Sequence, residues 1–372
     1  MFLALREIRR GLVRFGMLAV AIGLLLFLVL FQQALQQGLV TAFVGAIRNQ
    51  SAPVIVYGID AQRALQGSML TPDVEQQVLA VDGIGEHNRI GETTLSVRVG
   101  DAADATEASL IGTDGPLGQP RELAAGRAAD GPNQAVGSSV DFAVGDMVTV
   151  LAPDGGFEVE VVGVADDVQL SVSPTLFTDY ATFEAAVQAF NPDAAEIPAS
   201  ALAVAPARGV EPAELVDRIN DQVGDADAVT RADAADSAPG VAQVRQSFQV
   251  ILGLYALIVP LVTGLFFLII TLQKARALVL LRAIGARSGV LLRALFAQVL
   301  MITLAGIAVG VLLALPLSGR QIGGLTLRYD PASVATWALV FVALAVVGAL
   351  ASLARVRRTE PVAAVEPAGG AA

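Results

Sequence analysis

Four long windows of this 372-residue sequence contain no charged residue, and they constrain the fold more than any other feature. They cover residues 15–47, 246–273, 294–319 and 331–354. Because about 20 predominantly apolar residues cross the hydrocarbon core of a bilayer, each window is long enough for a transmembrane helix. The composition agrees, since 54% of the residues are hydrophobic, 16% are charged and the mean hydropathy is +0.63. The sequence therefore predicts a membrane protein with four transmembrane α-helices.

The first window is longer than a bilayer requires. Its apolar part is Phe15–Phe31, and four glutamines follow between positions 32 and 37. The apolar stretch is too long for the core of a signal peptide, and no convincing cleavage site follows it. We therefore expect one uncleaved helix over 15–47 that crosses the membrane and continues beyond it as a stalk.

The arrangement of positive charges predicts the orientation. Four arginines precede the first window, five cations lie in 274–293, and three arginines follow the last window. The segment 38–246 instead holds 10 arginines and 31 acidic residues. Since loops rich in lysine and arginine stay in the cytoplasm, both termini and the 274–293 loop should be cytoplasmic. Segment 38–246 and the short loop 320–330 should lie outside a bacterial plasma (inner) membrane, which the protein crosses several times.

The segment before the first span has two interpretations. Five apolar residues fall on one helical face and three arginines on another, which is typical of an amphipathic helix on the cytoplasmic membrane surface. The same arginines also fit a simple positive flank of the first span.

The predicted division of the whole chain is as follows: 1–14, cytoplasmic N-terminal helix; 15–47, first transmembrane helix and stalk; 48–245, extracytoplasmic domain; 246–273, second transmembrane helix; 274–293, cytoplasmic coupling loop; 294–319, third transmembrane helix; 320–330, external loop; 331–354, fourth transmembrane helix; 355–372, cytoplasmic tail.

The outside segment is large enough to bury its own core and is predicted to be an α+β domain inserted between transmembrane helices 1 and 2. The "PDGG" sequence at 153–156 is typical of a hairpin turn, and 225–240 is expected to be a polar return strand and linker. Strands are predicted at 53–58, 94–99, 107–112, 147–152, 157–164 and 200–205. Helices are predicted at 72–81, 179–190 and 211–223, two of them because proline occupies the first turn.

Several kinds of chemistry are excluded or disfavoured by composition. The only lysine, Lys274, lies between Gln273 and Ala275, so the Gly-Lys-Ser/Thr end of a P-loop is absent. The chain has no cysteine, and its one histidine, His87, lies in "GEHNRIG", where an exposed loop position is expected. We therefore predict no catalytic residues, no metal site, no cofactor in this chain and no nucleic-acid partner. If ATP is used, another chain must hydrolyse it.

The four windows also contain no residue that could relay protons or ions. Carriers driven by ion gradients usually need ionisable groups within the membrane. Their absence from the windows favours a transporter powered from the cytoplasm, or a protein that transmits motion.

Some residues of the windows have predicted structural roles. Gly306, Gly310 and Ala314 repeat every four residues, which favours a close helix-packing face over a merely permissive apolar helix. Pro260 should kink the second span, as a hinge or as a static bend.

The segment 274–287, "KARALVLLRAIGAR", combines cations with aliphatic residues. The second span should continue as a helix past Gln273, with Leu278, Leu281 and Ile284 on an apolar stripe, until Gly285 ends it. A positive flank requires only the arginines. The interleaved aliphatic residues indicate a docking surface.

The motif "LRAIGA" at Leu281–Ala286, with one span before a large outside domain and three spans after it, resembles the FtsX-like/MacB permeases of type VII ABC transporters. The segments 126–150, 157–164 and 355–365 resemble the same family, and "MFLALREIRRGLVRFGML" at the start resembles its haem-exporter branch. The resemblance implies a permease homodimer on two cytoplasmic ABC ATPase subunits, which bind ATP and Mg²⁺. Carried over by position, the ATPase contact comprises Arg276, Leu281, Arg282, Ala283, Ile284, Gly285, Ala286 and Arg287. The chain departs from the family pattern at Ala277, Val279 and Gln298, where the family often has glutamate, glycine and glutamate.

The expected function is that of the permease subunit of an ATP-driven exporter or extractor. Its cargo would be hydrophobic or amphipathic, such as haem, a lipid or a drug-like molecule. The alternative is a regulator that does not transport, and that moves its outside domain to control a cell-wall hydrolase.

Overall fold

The computed structural model describes residues 12–153, 156–194, 197–283 and 288–358. These residues form two compact units. The membrane unit comprises the described residues within Met1–Leu35, Ser247–Arg320 and Leu327–Ala372. The inserted domain comprises those within Gln36–Gln246, together with Gln321–Thr326.

Helices account for most of the membrane unit and for a smaller part of the inserted domain. In chain order they are α1 (Leu12–Arg48), α2 (Pro72–Leu79), α3 (Tyr180–Phe190), α4 (Pro212–Gln222), α5 (Arg231–Ser237), α6 (Val241–Ala283), α7 (Ser288–Ala314) and α8 (Pro331–Arg358). The strands are β1 (Val54–Gly58), β2 (Ile84–Val99), β3 (Thr106–Thr113), β4 (Ala125–Gly126), β5 (Gln134–Ser138), β6 (Met147–Val150), β7 (Phe157–Ala165), β8 (Thr175–Asp179), β9 (Ala201–Pro206), β10 (Ala226–Thr230), β11 (Gln321–Ile322) and β12 (Leu325–Thr326).

Four helices are long and apolar enough to cross a membrane. The qualifying segments are Phe15–Arg48, Val241–Leu265, Phe296–Leu317 and Pro331–Gly348. Helix α1 has 37 residues and α6 has 43, which at 1.5 Å per residue makes them about 55 and 65 Å long. A bilayer core is only about 30 Å thick. The structure confirms the predicted fold class, with four such helices and an α/β domain between the first and the second.

The core of the membrane unit consists of aliphatic and aromatic side chains from all four long helices. Helix α1 contributes half of the buried residues of this core, including Ile22, Leu26 and Leu30, while α7 contributes Ile302 and α8 contributes Phe341. Helices suit this environment because their backbone groups are hydrogen-bonded within the helix, whereas lipid offers no partners.

The inserted domain is built on one mixed sheet. Its strand order is β10-β1-β9-β2-β3-β8-β5-β7-β4, with β6 paired to β2 and β7. The 16-residue strand β2 holds the sheet together, because its first half pairs with β9 and its second half with β3 and β6. Among the strands of the described residues, only the β3–β8 and β5–β7 pairs are parallel. Helices α2 and α4 pack on the β1–β9–β10 end, and α3 packs beside β2, β3 and β8.

The edge strand β10 is covered by a side chain rather than by another strand. Asn220 of α4 donates from Nδ2 to the carbonyl oxygen of Ala228 at 2.9 Å, and its Oδ1 accepts from the Ala228 N–H at 2.8 Å. One amide side chain thus satisfies both backbone groups of an edge residue, which otherwise would be open to pairing with another chain.

Most strands and helices that the sequence predicts are present. The six predicted strands correspond to β1, the second half of β2, β3, β6, β7 and β9, and the three predicted helices to α2, α3 and α4. The predicted hairpin is confirmed by the antiparallel pairing of Val150 with Phe157, although 154–155 of its turn lie outside the described residues. The predictions for 1–11 and 359–372 also fall outside them.

Two expectations are wrong, and some strands were not predicted. His87 is exposed as expected, but it lies in strand β2 and not in a loop. The 225–240 region forms strand β10 and then helix α5, where a linker was expected, because Thr230 caps α5 by accepting from the N–H of Asp233 at 3.2 Å. Strands β5 and β8 are absent from the sequence-based assignment.

Candidate coupling site and its helical connections

The predicted coupling segment lies at the end of helix α6. The helix runs through 274–283, ten residues past the second charge-free window, which adds about 15 Å of helix. Arg276, Leu281, Arg282 and Ala283 lie in this extension. Residues 284–287, which include Ile284, Gly285, Ala286 and Arg287, fall outside the described residues. Helix α7 begins at Ser288.

Helix α6 is continuous from the inserted domain to the coupling segment. Pro260 lies inside it, and the helix is assigned without a break on either side of the proline. Because proline lacks an N–H, the carbonyl of Ala256 has no intrahelical donor at this point. The role of Pro260 as a hinge stays a prediction.

Helices α1 and α7 approach each other closely through glycines. A Cβ added to Gly306 would lie 2.8 Å from the Cβ of Ile22, and one added to Gly310 would lie 2.7 Å from the carbonyl oxygen of Gly23. Conversely, a Cβ on Gly23 would lie 2.8 Å from the carbonyl oxygen of Gly306. Ala314, one turn further along α7, is 4% exposed and belongs to the same core. The two backbones are therefore too close for larger side chains at these positions.

A chain of hydrogen bonds connects α1 to the start of α8. The indole Nε1 of Trp337 donates to Oε1 of Gln33 at 2.7 Å, and Nε2 of Gln33 donates to Oγ of Ser333 at 3.1 Å. The Ser333 hydroxyl in turn donates to Oδ2 of Asp330 at 2.9 Å. Backbone N–H bonds from Ser333 and then Ala332, together with this hydroxyl, lower the pKa of the Asp330 carboxyl, which caps α8. The sequence predicts only that Gln33 lies in a stalk. The contact could have been expected from Trp337, because the N–H of a tryptophan in an apolar span needs an acceptor.

Within the inserted domain, the last turns of α1 are bound through their backbone by the segment 167–172, here called the α1-binding loop. Ser171 and Val172 donate their N–H groups to the carbonyls of Phe43 and Ala42, each at 2.9 Å. The N–H of Ala46 donates to the carbonyl of Gln169 at 3.0 Å. Gly45 lies directly against the carbonyl of Asp167, where a Cβ could not fit. Helix and loop therefore touch backbone to backbone.

The α1-binding loop adopts a strained conformation to make these bonds. Val172 has a φ of +62° and Ser171 a φ of +54°. A β-branched residue is an outlier in the left-handed region, and such strain persists only where the surroundings enforce it. The bonds to α1 are among the local interactions that hold it, together with the hydrogen bond from the Leu170 N–H to Oγ1 of Thr175 at 2.8 Å.

One carboxylate joins the end of α1 to the start of α6. Asp236 of α5 accepts from Arg48 at 3.2 Å and from Arg245 at 2.6 Å, both on Oδ1. The hydrogen bond from Arg245 is the largest cause of the lowered pKa of Asp236. Val44 of α1 and Val241 of α6 belong to the same buried core of the inserted domain. This cluster is not predictable from the sequence, because its charges are separated by 9 to 188 positions.

Comparisons with known proteins give partial matches. No curated protein matches the chain. The structure of the periplasmic region of MacB from Actinobacillus actinomycetemcomitans matches at a TM-score of 0.35 and 14% identity, over 52% of this chain and 96% of that one. The extracellular domain of the noncanonic ABC-type transporter YknZ from Gram-positive bacteria matches at a TM-score of 0.32 and 14% identity, over 47% of this chain and 98% of that one.

The C-terminal part of the sequence gives a family assignment. Residues 250–361 match the family model of the FtsX-like permease C-terminal domain. This stretch includes most of α6, all of α7 and α8, and the predicted coupling segment between α6 and α7. Residues 250–361 of this chain are therefore similar to the FtsX-like permease C-terminal domain.

Proposed function

We propose that this chain is the permease subunit of an ATP-driven exporter or extractor of the type VII ABC class. In this proposal a separate ABC ATPase, which binds ATP and Mg²⁺, docks on 274–293 from the cytoplasm. The observation that carries the proposal is the continuity of helix α6. Its 43 residues run from Val241, within the inserted domain, to Ala283 in the coupling segment.

The mechanism follows from what each end of the long helices contacts. Closure of the ATPase pulls on the segment 274–293, and α6 passes this displacement along its length. At the other end, Asp236 and the shared core couple α6 to the inserted domain and to α1. The domain then moves as a rigid body, which is one of the common forms of conformational transition.

The cargo in this proposal is hydrophobic or amphipathic, such as haem, a lipid or a drug-like molecule. The charge-free windows support this class, because they offer no ionisable group to bind an ion or relay a proton. We further propose a permease homodimer with two ATPase subunits, located in the bacterial plasma membrane with both termini in the cytoplasm.

The docking is tested with the permease and its ATPase purified together. We expect Arg282→Gln to reduce the stimulation of ATP hydrolysis by the permease about tenfold, since a lost charged contact is worth on the order of 1.4 kcal/mol or more. Gly285→Leu should also reduce it, because a large side chain at the expected end of the helix would obstruct the docking surface. Arg358→Gln removes the same charge from the other cytoplasmic end of the membrane unit and serves as the matched control. Unchanged stimulation in both loop variants would contradict docking at 274–293.

A second experiment separates transport from regulation of a cell-wall hydrolase. The full complex is purified from membranes, and its bound small molecules are identified by mass spectrometry and absorbance. A bound lipid, haem or other amphipathic molecule whose amount falls when ATP is added supports transport. A stoichiometric hydrolase, with no bound amphipathic molecule, supports regulation instead.

A further inference from the structure

Four arginines of the inserted domain lack the acidic partners that the other six have. Of the 10 arginines in 38–246, six lie within 4.0 Å of a carboxylate oxygen: Arg48, Arg63, Arg89, Arg127, Arg218 and Arg245. Within the described part of the chain, Arg98, Arg121, Arg208 and Arg231 have no such ion pair, although the same segment contains 31 acidic residues. Arg121 and Arg231 are the two of these four that contact one common segment. The positive charge of these two side chains is therefore uncompensated by a direct contact.

Both arginines are attached to the same short segment, 49–53, which follows helix α1. The N–H of Arg231 donates to the carbonyl of Pro53 at 2.9 Å, and its Nη1 donates to the carbonyl of Gln50, also at 2.9 Å. The N–H of Arg121 donates to the carbonyl of Asn49 at 3.0 Å. Gln50 is in addition bridged to Pro120, the neighbour of Arg121. The fold thus brings two residues that are distant in sequence to one place.

The two positive charges act on each other there. Burial first, and then the charge of Arg121, lower the pKa of the Arg231 guanidinium. The acid that is nearest in sequence to Arg231, Asp233, is engaged elsewhere, since its Oδ2 accepts from the hydroxyl of Thr230 at 2.6 Å. Like charges held together in a partly buried place are unfavourable unless an anion joins them.

Gln50 supplies an unused donor at the same segment. Its side chain is 3% exposed, and its Oε1 accepts from the N–H of Ala52 at 2.7 Å. Its Nε2 is buried and has no acceptor among the described residues. A buried N–H without an acceptor is uncommon in folded proteins and typically costs about 1–3 kcal/mol. An additional ligand atom would remove this penalty.

We propose that Arg121, Arg231 and the side-chain amide of Gln50 form a binding site for an oxyanion, namely a carboxylate or phosphate group. Guanidinium groups bind such groups through paired N–H donors, and the Gln50 amide adds a third donor. The oxyanion belongs either to a free small molecule or to a lipid headgroup. The site is separate from the coupling segment, and the proposal does not depend on the partner ATPase.

The test measures anion binding by the full chain in detergent. Isothermal titration is performed with inorganic phosphate as the free anion and with a short-chain phosphatidylglycerol as the headgroup. We expect saturable binding that weakens about tenfold in Arg121→Gln and in Arg231→Gln. Arg208→Gln is the matched control, because Arg208 is exposed and forms no ion pair within the described residues. It removes the same charge from the acidic domain without touching 49–53.

The outcomes distinguish a free anion from a lipid headgroup, and they decide whether the proposal holds. Binding of phosphate supports a free anion, whereas binding of the short-chain lipid alone supports a headgroup. Absence of saturable binding of both probes overturns the proposal, as does an equal loss in Arg208→Gln. If Arg231→Gln does not fold, the exposed Arg121 still carries the test, because its replacement leaves the hydrogen bonds of Arg231 in place.

Discussion

At the scale of single residues, the surroundings of Glu92 change the pKa of its carboxyl. It lies in the central strand β2, and burial raises the pKa of its carboxyl from 4.5 to about 7. The neighbouring polar side chains of Gln66, Thr94 and Ser109 oppose this rise in pKa without cancelling it. The inserted domain therefore holds a proton on this side chain at mildly acidic pH.

The raised pKa makes stability depend on pH with a definite sign. The folded chain binds the proton more tightly than the unfolded chain, so the stabilisation from Glu92 is complete below pH 4.5 and is lost as the pH rises to about 7. Glu92→Gln keeps the size of the side chain and removes the titration. We expect the variant to gain stability relative to the wild type between pH 5 and 7.5, by on the order of 2 kcal/mol.

The measurement is the unfolding midpoint of the full chain in detergent at both pH values. Glu86→Gln changes an exposed carboxylate of the same strand and is the control. A difference between Glu92→Gln and the wild type that stays constant with pH would refute the assignment.

The candidate sites differ in how far a sequence can reveal them. The coupling segment is visible in the sequence because its cations, aliphatic residues and glycine are contiguous in 274–287. The contact between Gln33 and Trp337 joins residues 304 positions apart, and the site of Arg121 and Arg231 depends on chain pairing at 49–53. Periodicity describes which face a residue occupies, but it carries no information on which distant side chain shares that face.

At the scale of secondary structure, α1 contains glycines in three different settings. No atom lies within 4 Å of the position that a Cβ on Gly16 would occupy. Gly23 is packed against α7 of the membrane unit, and Gly45 lies against the α1-binding loop of the inserted domain. The same substitution in one helix can therefore measure intrinsic helix propensity and close packing separately.

We expect Gly16→Ala to raise the stability of the full chain slightly, because alanine favours helix by about 1 kcal/mol over glycine. Gly23→Ala and Gly45→Ala should each lower it by about 1–3 kcal/mol, since backbone atoms occupy the space of the new methyl group. Thermal unfolding of the three variants in detergent gives the comparison. Three equal shifts would mean that neither contact is close in the folded protein.

The elements that were predicted correctly carry local signals, and the others do not. Helices α2 and α3 are capped by Thr71 and Asp179, whose side chains accept from the N–H groups of Val74 and Thr182. Strand β5 instead contains Gly137, which sequence reasoning associates with turns. There, a Cβ would lie 2.8 Å from Phe142, so the glycine reflects tertiary packing.

At the scale of the whole molecule, the distribution of charge is the strongest prediction of topology. The chain contains no cysteine, so single cysteines can be introduced without background labelling. We expect Asp104→Cys, in an exposed loop of the inserted domain, to react with a membrane-impermeant maleimide in intact cells. Gly369→Cys in the tail should react only after the membrane is permeabilised. The opposite labelling pattern would contradict the proposed orientation and support the reverse one.

The α1-binding loop restricts how helix α1 can rotate within the inserted domain. A helix held by side chains alone can roll about its axis, because rotamers adjust to the new angle. The final turns of α1 are instead joined to the loop by three backbone hydrogen bonds and by the fit of Gly45. Rolling would break all of these together. Rotation of α1 about its axis at this point therefore requires either the loss of these bonds or a matching movement of the α1-binding loop.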